Sequence, residues 1–209
     1  TLEFSAGIYL YLHQNRMNFR YFAIYKPYGF LSQFSGEEND RLLGELFDFP
    51  KDVYPVGRLD KDSEGLLILT NDNRLKHRLL DPDSNHSKTY YVQVEGDLST
   101  TAITDLSSGI LEIKHNGKAY CVKKAVCKKI NPPSIAERVP PIRFRVSIPT
   151  SWIELTLTEG KNRQVRKMTA AAGYPTLRLI RIAIGLYQPR LKIGEVRELN
   201  NEEVNLLLE

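Results

Sequence analysis

The sequence predicts an α+β fold organised around a largely antiparallel sheet. Segments with the pattern of strands outnumber segments with the pattern of helices, and the links between successive strand segments are short. Short links connect antiparallel strands, whereas parallel strands need a long crossover. With 209 residues, of which 42% are apolar, the chain can form one domain or two small lobes that share a sheet.

The strand predictions rest on apolar runs and on alternation. Residues 65–70 are apolar almost throughout, which is typical of a strand covered on both faces. Residues 90–95 alternate, so that Tyr90 shares a face with Val92 and Val94 while Tyr91 points outward. Further strands are predicted at residues 21–26, 120–128, 152–158 and 177–184, with an edge strand at 142–148.

The sequence predicts four helices, at residues 40–47, 73–80, 99–108 and 162–172. Ser99 is the expected N-cap of the third helix, and Gly109 follows its end. Gly173 ends the fourth helix, and Pro175 prevents its continuation. Residues 131–149 contain five prolines and predict an irregular excursion.

Composition excludes several classes of protein. No apolar run approaches the roughly 18 residues that a membrane-spanning helix needs. Residues 4–12 are apolar, but no basic segment precedes them and no small-residue cleavage site follows, so we expect no signal peptide. Cys121 and Cys127, with only His115 nearby, are poor zinc ligands, and unpaired cysteines are typical of a reducing compartment. We expect a cytoplasmic monomer without membrane contact or a bound metal. We also expect no cofactor, because no phosphate-binding loop or dinucleotide fingerprint occurs.

Positive charge is concentrated in one segment, although the net charge is only +4. Residues 161–181 contain six Lys or Arg and no Asp or Glu. A cluster of one sign attracts phosphate groups, so this segment predicts contact with a nucleic acid. The alternative is a helix face that is merely solvated.

The run at residues 54–70 places Asp60 two residues after Arg58, at the mouth of the covered strand. Loops at strand ends are where rigid scaffolds display reactive groups. By itself, Asp60 is better explained as a turn or N-cap residue. The pattern Asp60-x-Asp62-x-Glu64 resembles the start of a calcium-binding loop, but its twelfth position is Asn71. Asp60 and Asp62 could also serve a retaining glycosidase, although that leaves no role for Tyr90 or the basic segment.

Four segments in order resemble the motifs of the RsuA-type pseudouridine synthases. The first is Lys-Pro-Tyr-Gly at residues 26–29, and the others lie within residues 54–70, 88–96 and 157–173. Together they cover about residues 21–186. The wording of the last motif, with Asn-Pro-Pro at 131–133 and Ser-Ile-Pro-Thr-Ser-Trp at 147–152, is most similar to the E-type enzymes of the large ribosomal subunit.

The resemblance implies an RNA pseudouridine synthase that isomerises a uridine of ribosomal RNA, in the large subunit. Transfer RNA as the substrate, or a non-catalytic RNA-binding or ribosome-assembly protein of the same fold, are the alternatives. The implied fold is a mixed, largely antiparallel sheet in two lobes, with the active cleft between them. We expect a catalytic domain at residues 21–190, a C-terminal segment at 191–209 packed on it, and an N-terminal extension at 1–20 without assignment.

Many RsuA-type enzymes begin with an S4-like RNA-binding module. The 25 residues before Lys26 are too few for such a module. We therefore expect the RNA affinity to come from the catalytic domain, from its basic helix and from the proline-rich excursion.

The resemblance also implies roles for individual residues. Asp60 is the catalytic carboxylate, Tyr90 stacks on the extruded base, and Arg166 pairs with Asp60 and holds it ionised. Arg58 fills the space that an extruded uridine leaves or clamps its phosphate. The other residues expected to contact RNA are basic: Lys88, Arg163, Lys167, Arg178 and Arg181. The isomerisation is redox-neutral and implies neither metal nor nucleotide cofactor.

Overall fold

The computed structural model describes residues 19–142, 145 and 147–209. Most of the expected N-terminal extension, and part of the edge strand predicted at 142–148, lie outside these residues. The strands are β1 Tyr21–Lys26, β2 Tyr54–Pro55, β3 Glu64–Thr70, β4 Lys88–Glu95, β5 Glu112–His115, β6 Lys118–Cys121, β7 Val126–Ile130, β8 Thr150–Leu157, β9 Thr176–Ile184 and β10 Val196–Glu198. The α-helices are α1 Asn73–Leu80, α2 Thr100–Ser108, α3 Gln164–Ala171 and α4 Asn201–Leu208.

One mixed sheet organises the described part of the chain. Its strand order is β10-β1-β3-β9-β4-β8-β7, with β2 paired to β3, and β5 and β6 form a separate hairpin. The named strands pair antiparallel except for β3 and β9, which run parallel. The predicted α+β fold with a mixed, largely antiparallel sheet is therefore confirmed.

Three apolar clusters pack against the sheet. One lies on the β4 half of the sheet, and the other two lie on the β1–β3 half. One cluster joins β4, β8 and β9 to α2 and α3. The other two cover opposite faces of β1 and β3, and every residue of β3 is buried, as its apolar run predicts. The C-terminal segment contributes β10, which pairs with β1, and the fully buried Leu207.

Gly65 allows β3 and β9 to approach each other closely at the centre of the sheet. It adopts a φ of +102°, and a Cβ atom there would lie 2.2 Å from the main-chain oxygen of Arg181. Only glycine tolerates both the conformation and the contact. The close approach of β3 to β9 places the loop that precedes β3 beside Arg181.

The helix predictions succeed where capping residues and packing agree. The side chain of Ser99 accepts a hydrogen bond from the amide of Ala102, and Gly109 ends α2 with a φ of 78°. The helix predicted at 40–47 is wrong: a single 3-10 turn, Leu43–Glu45, occurs there. The amide of Leu43 binds the carbonyl of Gln33, so that contacts with a neighbouring loop replace the helical ladder.

The strand predicted at residues 120–128 is divided in the structure. β6 ends at Cys121, and β7 begins at Val126 as a partner of β8. The break occurs where the amide of Lys123 donates to the buried Glu159. Within the described residues, no helix is long and apolar enough to cross a membrane.

Candidate active site

A cleft of about 700 Å³ opens where β3, β9 and β4 meet. Its lining comes from residues 31–32, 56–61 and 63, the end of α1, the start of β4, Tyr120 and Lys123, residues 157–165, and β9. The cleft thus receives side chains from both halves of the sheet. It contains Asp60, Tyr90 and much of the positive charge described below.

Hydrogen bonds from Ser32 and Gly29 hold the loop that carries Asp60 in place. The hydroxyl of Ser32 donates to the carbonyl of Leu59 at 2.8 Å and accepts from its amide at 3.0 Å. The amide of Gly29 donates to the carbonyl of Lys61 at 2.8 Å. Leu59 is buried, so the chain anchors on both sides of Asp60. The Asp60 side chain keeps 34% of its surface exposed and faces the cleft.

Lys26, in the first of the four motifs, has a structural position. Its side chain is completely buried, and Nζ donates to the carbonyls of Pro27 and Phe30 at 3.0 and 2.7 Å. Burial lowers the pKa of Lys26 to about 8, against the opposing effect of nearby carboxylates. Lys26 therefore fixes the turn on which the Asp60 loop rests.

Two arginines reach the Asp60 loop from the start of α3. Arg163 donates to both carboxylate oxygens of Asp62 at 2.8 Å, and its Nη1 lies 3.6 Å from Oδ2 of Asp60. Arg166 donates from Nη2 to the main-chain oxygen of Asp62 at 2.5 Å. Its Nε lies 3.3 Å from Oδ2 of Asp62, an ionic contact without hydrogen-bond geometry. The predicted pairing of Arg166 with Asp60 is therefore wrong in this structure: Arg166 pairs with Asp62, and the ion pair of Asp60 is with Arg163.

Local backbone geometry explains this exchange of partners. Arg163 is the N-cap of α3 and has a left-handed φ of 53°, which directs its side chain away from the helix and across the loop. The hydrogen bond from Arg163 lowers the pKa of Asp62, and Coulombic attraction to both arginines adds to the effect. Asp62 thus anchors α3 to the loop, and Asp60 stands beside this anchor with its carboxylate in the cleft.

Tyr90 lines the cleft and lies on the buried face of β4, the face that alternation predicts. It is 8% exposed and shares its face with the fully buried Val92 and Val94, whereas Tyr91 is less deeply buried. Its position on β4 is opposite Arg181 of β9, next to a β-bulge between Thr89 and Tyr90. Asp60 and Tyr90 therefore share one cavity although 30 residues separate them in the chain.

The residues predicted to contact RNA divide into three groups. Four line the cleft: Arg58, Lys88, Arg163 and Arg181. Lys167 lies on α3 and is half-buried, outside the cleft lining. Arg178 contradicts its prediction, because it is 5% exposed and pairs at 2.8 Å with Glu64, itself 2% exposed. Its Nη1 also donates to the carbonyl of Ala136, so Arg178 is enclosed beneath the proline-rich excursion.

The sequence interpretation missed a buried carboxylate that joins the hairpin to the rest of the cleft. Oε2 of Glu159 accepts from the hydroxyl of Tyr120 at 2.6 Å. Oε1 accepts from the amide of Lys123 at 2.9 Å and from the side-chain amide of Gln164. The hydrogen bond to Glu159 is the largest cause that raises the pKa of Tyr120 to about 12. Treating residues 120–128 as one strand concealed this hairpin and the cations beside it.

The cleft is positively charged. Seven basic residues line it: Arg58, Lys61, Lys88, Lys123, Lys161, Arg163 and Arg181. The acidic residues of the lining are Asp60, Asp81 and Glu159. A concave surface with this imbalance attracts a polyanion. In the part of the chain that the structure describes, no group of His, Cys, Asp and Glu side chains is arranged to hold a metal ion.

The sequence profile of the family described as RNA pseudouridylate synthase matches residues 20–171, which contain the Asp60 loop, Tyr90 and both arginines that bind Asp62. The chain belongs to this family. It is therefore an RNA pseudouridine synthase, an isomerase. Membership also decides against the calcium-binding and glycosidase alternatives.

Two relatives from bacteria carry the name "Ribosomal large subunit pseudouridine synthase E". The relative from Xanthomonas campestris pv. campestris is 49% identical over 78% of this chain and 85% of its own length. The relative from Vibrio vulnificus is 44% identical over 84% of this chain and 73% of its own length. A solved structure titled "Crystal structure of pseudouridylate synthase" matches with a TM-score of 0.73 and 26% identity, covering 91% of this chain and 74% of the other. The first two bear out the predicted similarity to the E-type enzymes.

Proposed function

We propose that this protein converts one specific uridine of large-subunit ribosomal RNA to pseudouridine, with Asp60 as the catalytic carboxylate. The observation that carries the proposal is the cleft itself. An accessible carboxylate on an anchored loop faces the same cavity as a buried tyrosine, and cations surround both. The names of the two relatives support the large ribosomal subunit as the source of the substrate.

The reaction needs a carboxylate at this place because the glycosidic carbon becomes electron-poor. Isomerisation breaks the N1–C1′ bond of uridine and joins C1′ to C5 of the same ring. An ionised Asp60 can bond to C1′ or stabilise its positive charge; addition to C6 of the ring is the alternative route. The proton lost from C5 is balanced by one gained at N1, and the isomerisation is redox-neutral overall, so it needs no external oxidant or reductant.

The target base has to leave its stack before it reaches Asp60, and this extrusion takes a few kcal/mol. Tyr90 offers a ring on which the extruded base can stack. Arg58 lies on the exposed side of the loop and donates to Gln33 at 2.7 Å. We assign to Arg58 the contact with the neighbouring nucleotide or its phosphate.

Arg163, Asp62 and Arg166 act as positioning residues in this proposal. Their contacts join α3 to the loop and so fix the direction of the Asp60 side chain. Arg163 also places a positive charge 3.6 Å from Oδ2 of Asp60, an ion pair that helps to orient this carboxylate. Since ribosomal RNA is the proposed substrate, we propose that the enzyme is located in the cytoplasm. We also propose that it acts as a monomer.

The test is a map of pseudouridine in all cellular RNA, with and without the gene and with an Asp60→Asn copy. We expect one pseudouridine of large-subunit ribosomal RNA to disappear without the gene and to stay absent with the Asp60→Asn copy. Loss of a transfer RNA pseudouridine instead would refute the proposed substrate. An unchanged map would favour a non-catalytic RNA-binding or ribosome-assembly role.

A further inference from the structure

Arg181 is a buried cation that has no counter-ion among the residues that the structure describes. It is 6% exposed, and its Nε donates to the main-chain oxygen of Leu66 at 2.7 Å. Its Nη2 is buried and has no hydrogen-bond partner among the described residues. Arg163 and Arg166 pair with Asp62, and Arg178 pairs with Glu64, but no carboxylate of the described residues lies within ion-pair distance of Arg181.

A second cation stands beside Arg181. Lys88 lines the same cleft, and its Nζ donates to the main-chain oxygen of His86 at 3.2 Å. Burial lowers the pKa of Lys88, and repulsion from Arg181 lowers it further. Burying positive charge without a partner is unfavourable. Two neighbouring cations, neither of which has a carboxylate partner in the described part of the chain, therefore indicate a place where an external group supplies negative charge.

The depth of Arg181 distinguishes the parts of a nucleotide that could supply this charge. Arg181 is opposite Tyr90 in the β4–β9 pairing, and both residues are less than 9% exposed. The Asp60 side chain, at 34%, is closer to the opening. A nucleotide that enters from the RNA strand keeps its phosphates outside, brings C1′ to Asp60 and carries its base furthest inward. Arg181 is therefore positioned for the base.

The uracil ring becomes negatively charged during the reaction by either route. If the N1–C1′ bond breaks while C1′ bonds to Asp60, the electron pair of that bond spreads from N1 to the ring oxygens O2 and O4. If an oxygen of Asp60 adds to C6, the pair of the C5–C6 double bond moves to O4. Each route therefore creates an oxyanion on the ring, and a preorganised N–H group stabilises such an oxygen most effectively in a site that excludes water.

We infer that Arg181 is a further catalytic residue, whose Nη2 donates to the uracil carbonyl oxygen that gains negative charge, with Lys88 strengthening the positive field. This inference rests on the proposed function and deepens it. Arg181 acts on the base, whereas Asp60 acts at the glycosidic bond or at C6. The exposed cations at the opening remain available for the phosphates.

The experiment compares Arg181→Met, Arg181→Lys and the control Arg190→Met with the wild type. Arg190 is an exposed arginine outside the cleft lining. The single-turnover rate of pseudouridine formation is measured with saturating enzyme on transcribed large-subunit ribosomal RNA. The Kd for the same RNA is measured separately at several salt concentrations.

Arg181→Met should lower the saturated rate by about 100- to 1,000-fold, the effect of removing one oxyanion donor. Its Kd and salt dependence should match those of the wild type and of Arg190→Met. Arg181→Lys should keep the positive charge but lose the fork of donors, so its rate should fall at least about tenfold.

Two results would overturn the inference. A saturated rate within threefold of wild type would show that Arg181 is not a catalytic residue. A weaker Kd with a flatter salt dependence and an unchanged saturated rate would show that it contacts phosphate instead. If Arg181→Met does not fold, Arg181→Lys decides by the same criteria. An inactive wild type would count against the proposed function, on which this assignment rests, whereas failure of the assignment alone requires an active wild type.

Discussion

Replacement of Glu159 tests how the β5–β6 hairpin is held against the cleft. Glu159→Leu removes a buried acceptor of three hydrogen bonds, from the hydroxyl of Tyr120, the amide of Lys123 and the side chain of Gln164. Tyr120 is partly exposed and can turn to water, so its loss weighs little. The side chain of Gln164 is buried and the hydrogen bond from the amide of Lys123 is partly buried, and a buried donor left without a partner costs about 1–3 kcal/mol.

The expected destabilisation by Glu159→Leu is about 3 kcal/mol. For a chain of this size, that corresponds to a decrease in Tm of about 6–12 °C. Glu159→Gln is the matched control, because its Oε1 can keep the amide of Lys123 and the side chain of Gln164. Its new Nε2 can donate to the hydroxyl of Tyr120, which also accepts. The control should stay within about 1 kcal/mol of the wild type.

The assay is chemical denaturation, followed by circular dichroism, at neutral pH. In Glu159→Gln, the pKa of Tyr120, observed by NMR of labelled tyrosine, should also fall from about 12 toward its ordinary value. A Glu159→Leu variant as stable as Glu159→Gln would refute the reasoning. In that case the carboxylate would not be what holds the hairpin.

Three further predictions concern charge. The stability of the wild type relative to Lys26→Met should increase as the pH rises from about 8 toward the ordinary lysine pKa, because folding then no longer buries a charged Lys26. If chemical denaturation gives the same difference in stability at every pH in this range, the lowered pKa is contradicted. The double variant Lys123→Glu, Lys161→Glu should weaken RNA binding. The slope of log K against log salt should become flatter by at least about 1.4, since each phosphate contact contributes about 0.7. An unchanged slope in filter binding would show that the RNA does not contact these two lysines. Arg178→Met should leave this slope unchanged but destabilise the fold by about 3–5 kcal/mol, because it leaves Glu64 buried without a partner; a flatter slope with normal stability would restore Arg178 as an RNA contact.

The sequence predicts most of the strand framework because local patterns decide it. The apolar run at β3 and the alternation at β4 are borne out by burial, and the alternation puts Tyr90 on the buried face of β4. Ser99 and Gly109 define α2 by caps that act within the segment itself. Such features depend on neighbours in the chain and can be derived without the tertiary structure.

The electrostatic partners were not predictable in the same way. Whether Arg163 or Arg166 meets Asp60 depends on a left-handed backbone at Arg163 and on the packing of α3 against a loop about 100 residues earlier. That Arg178 and Arg181 face opposite sides of the sheet could have been predicted from the sequence. Arg178 and Arg181 are three residues apart in β9 and therefore point to opposite faces, so that only one of them can face the cleft.

The most direct test of the central claim is the amount of pseudouridine that Asp60→Asn forms on purified large-subunit ribosomal RNA, compared with the wild type. Because the reaction requires the ionised carboxylate, the variant should form none, while its Tm and RNA Kd stay close to those of the wild type. Asp62→Asn is the comparison variant: because Asp62 positions Asp60 through Arg163 and Arg166, its activity should fall but stay well above that of Asp60→Asn. Turnover by Asp60→Asn within tenfold of the wild type would contradict the assignment, and an essential Asp62 would transfer the catalytic role to that residue.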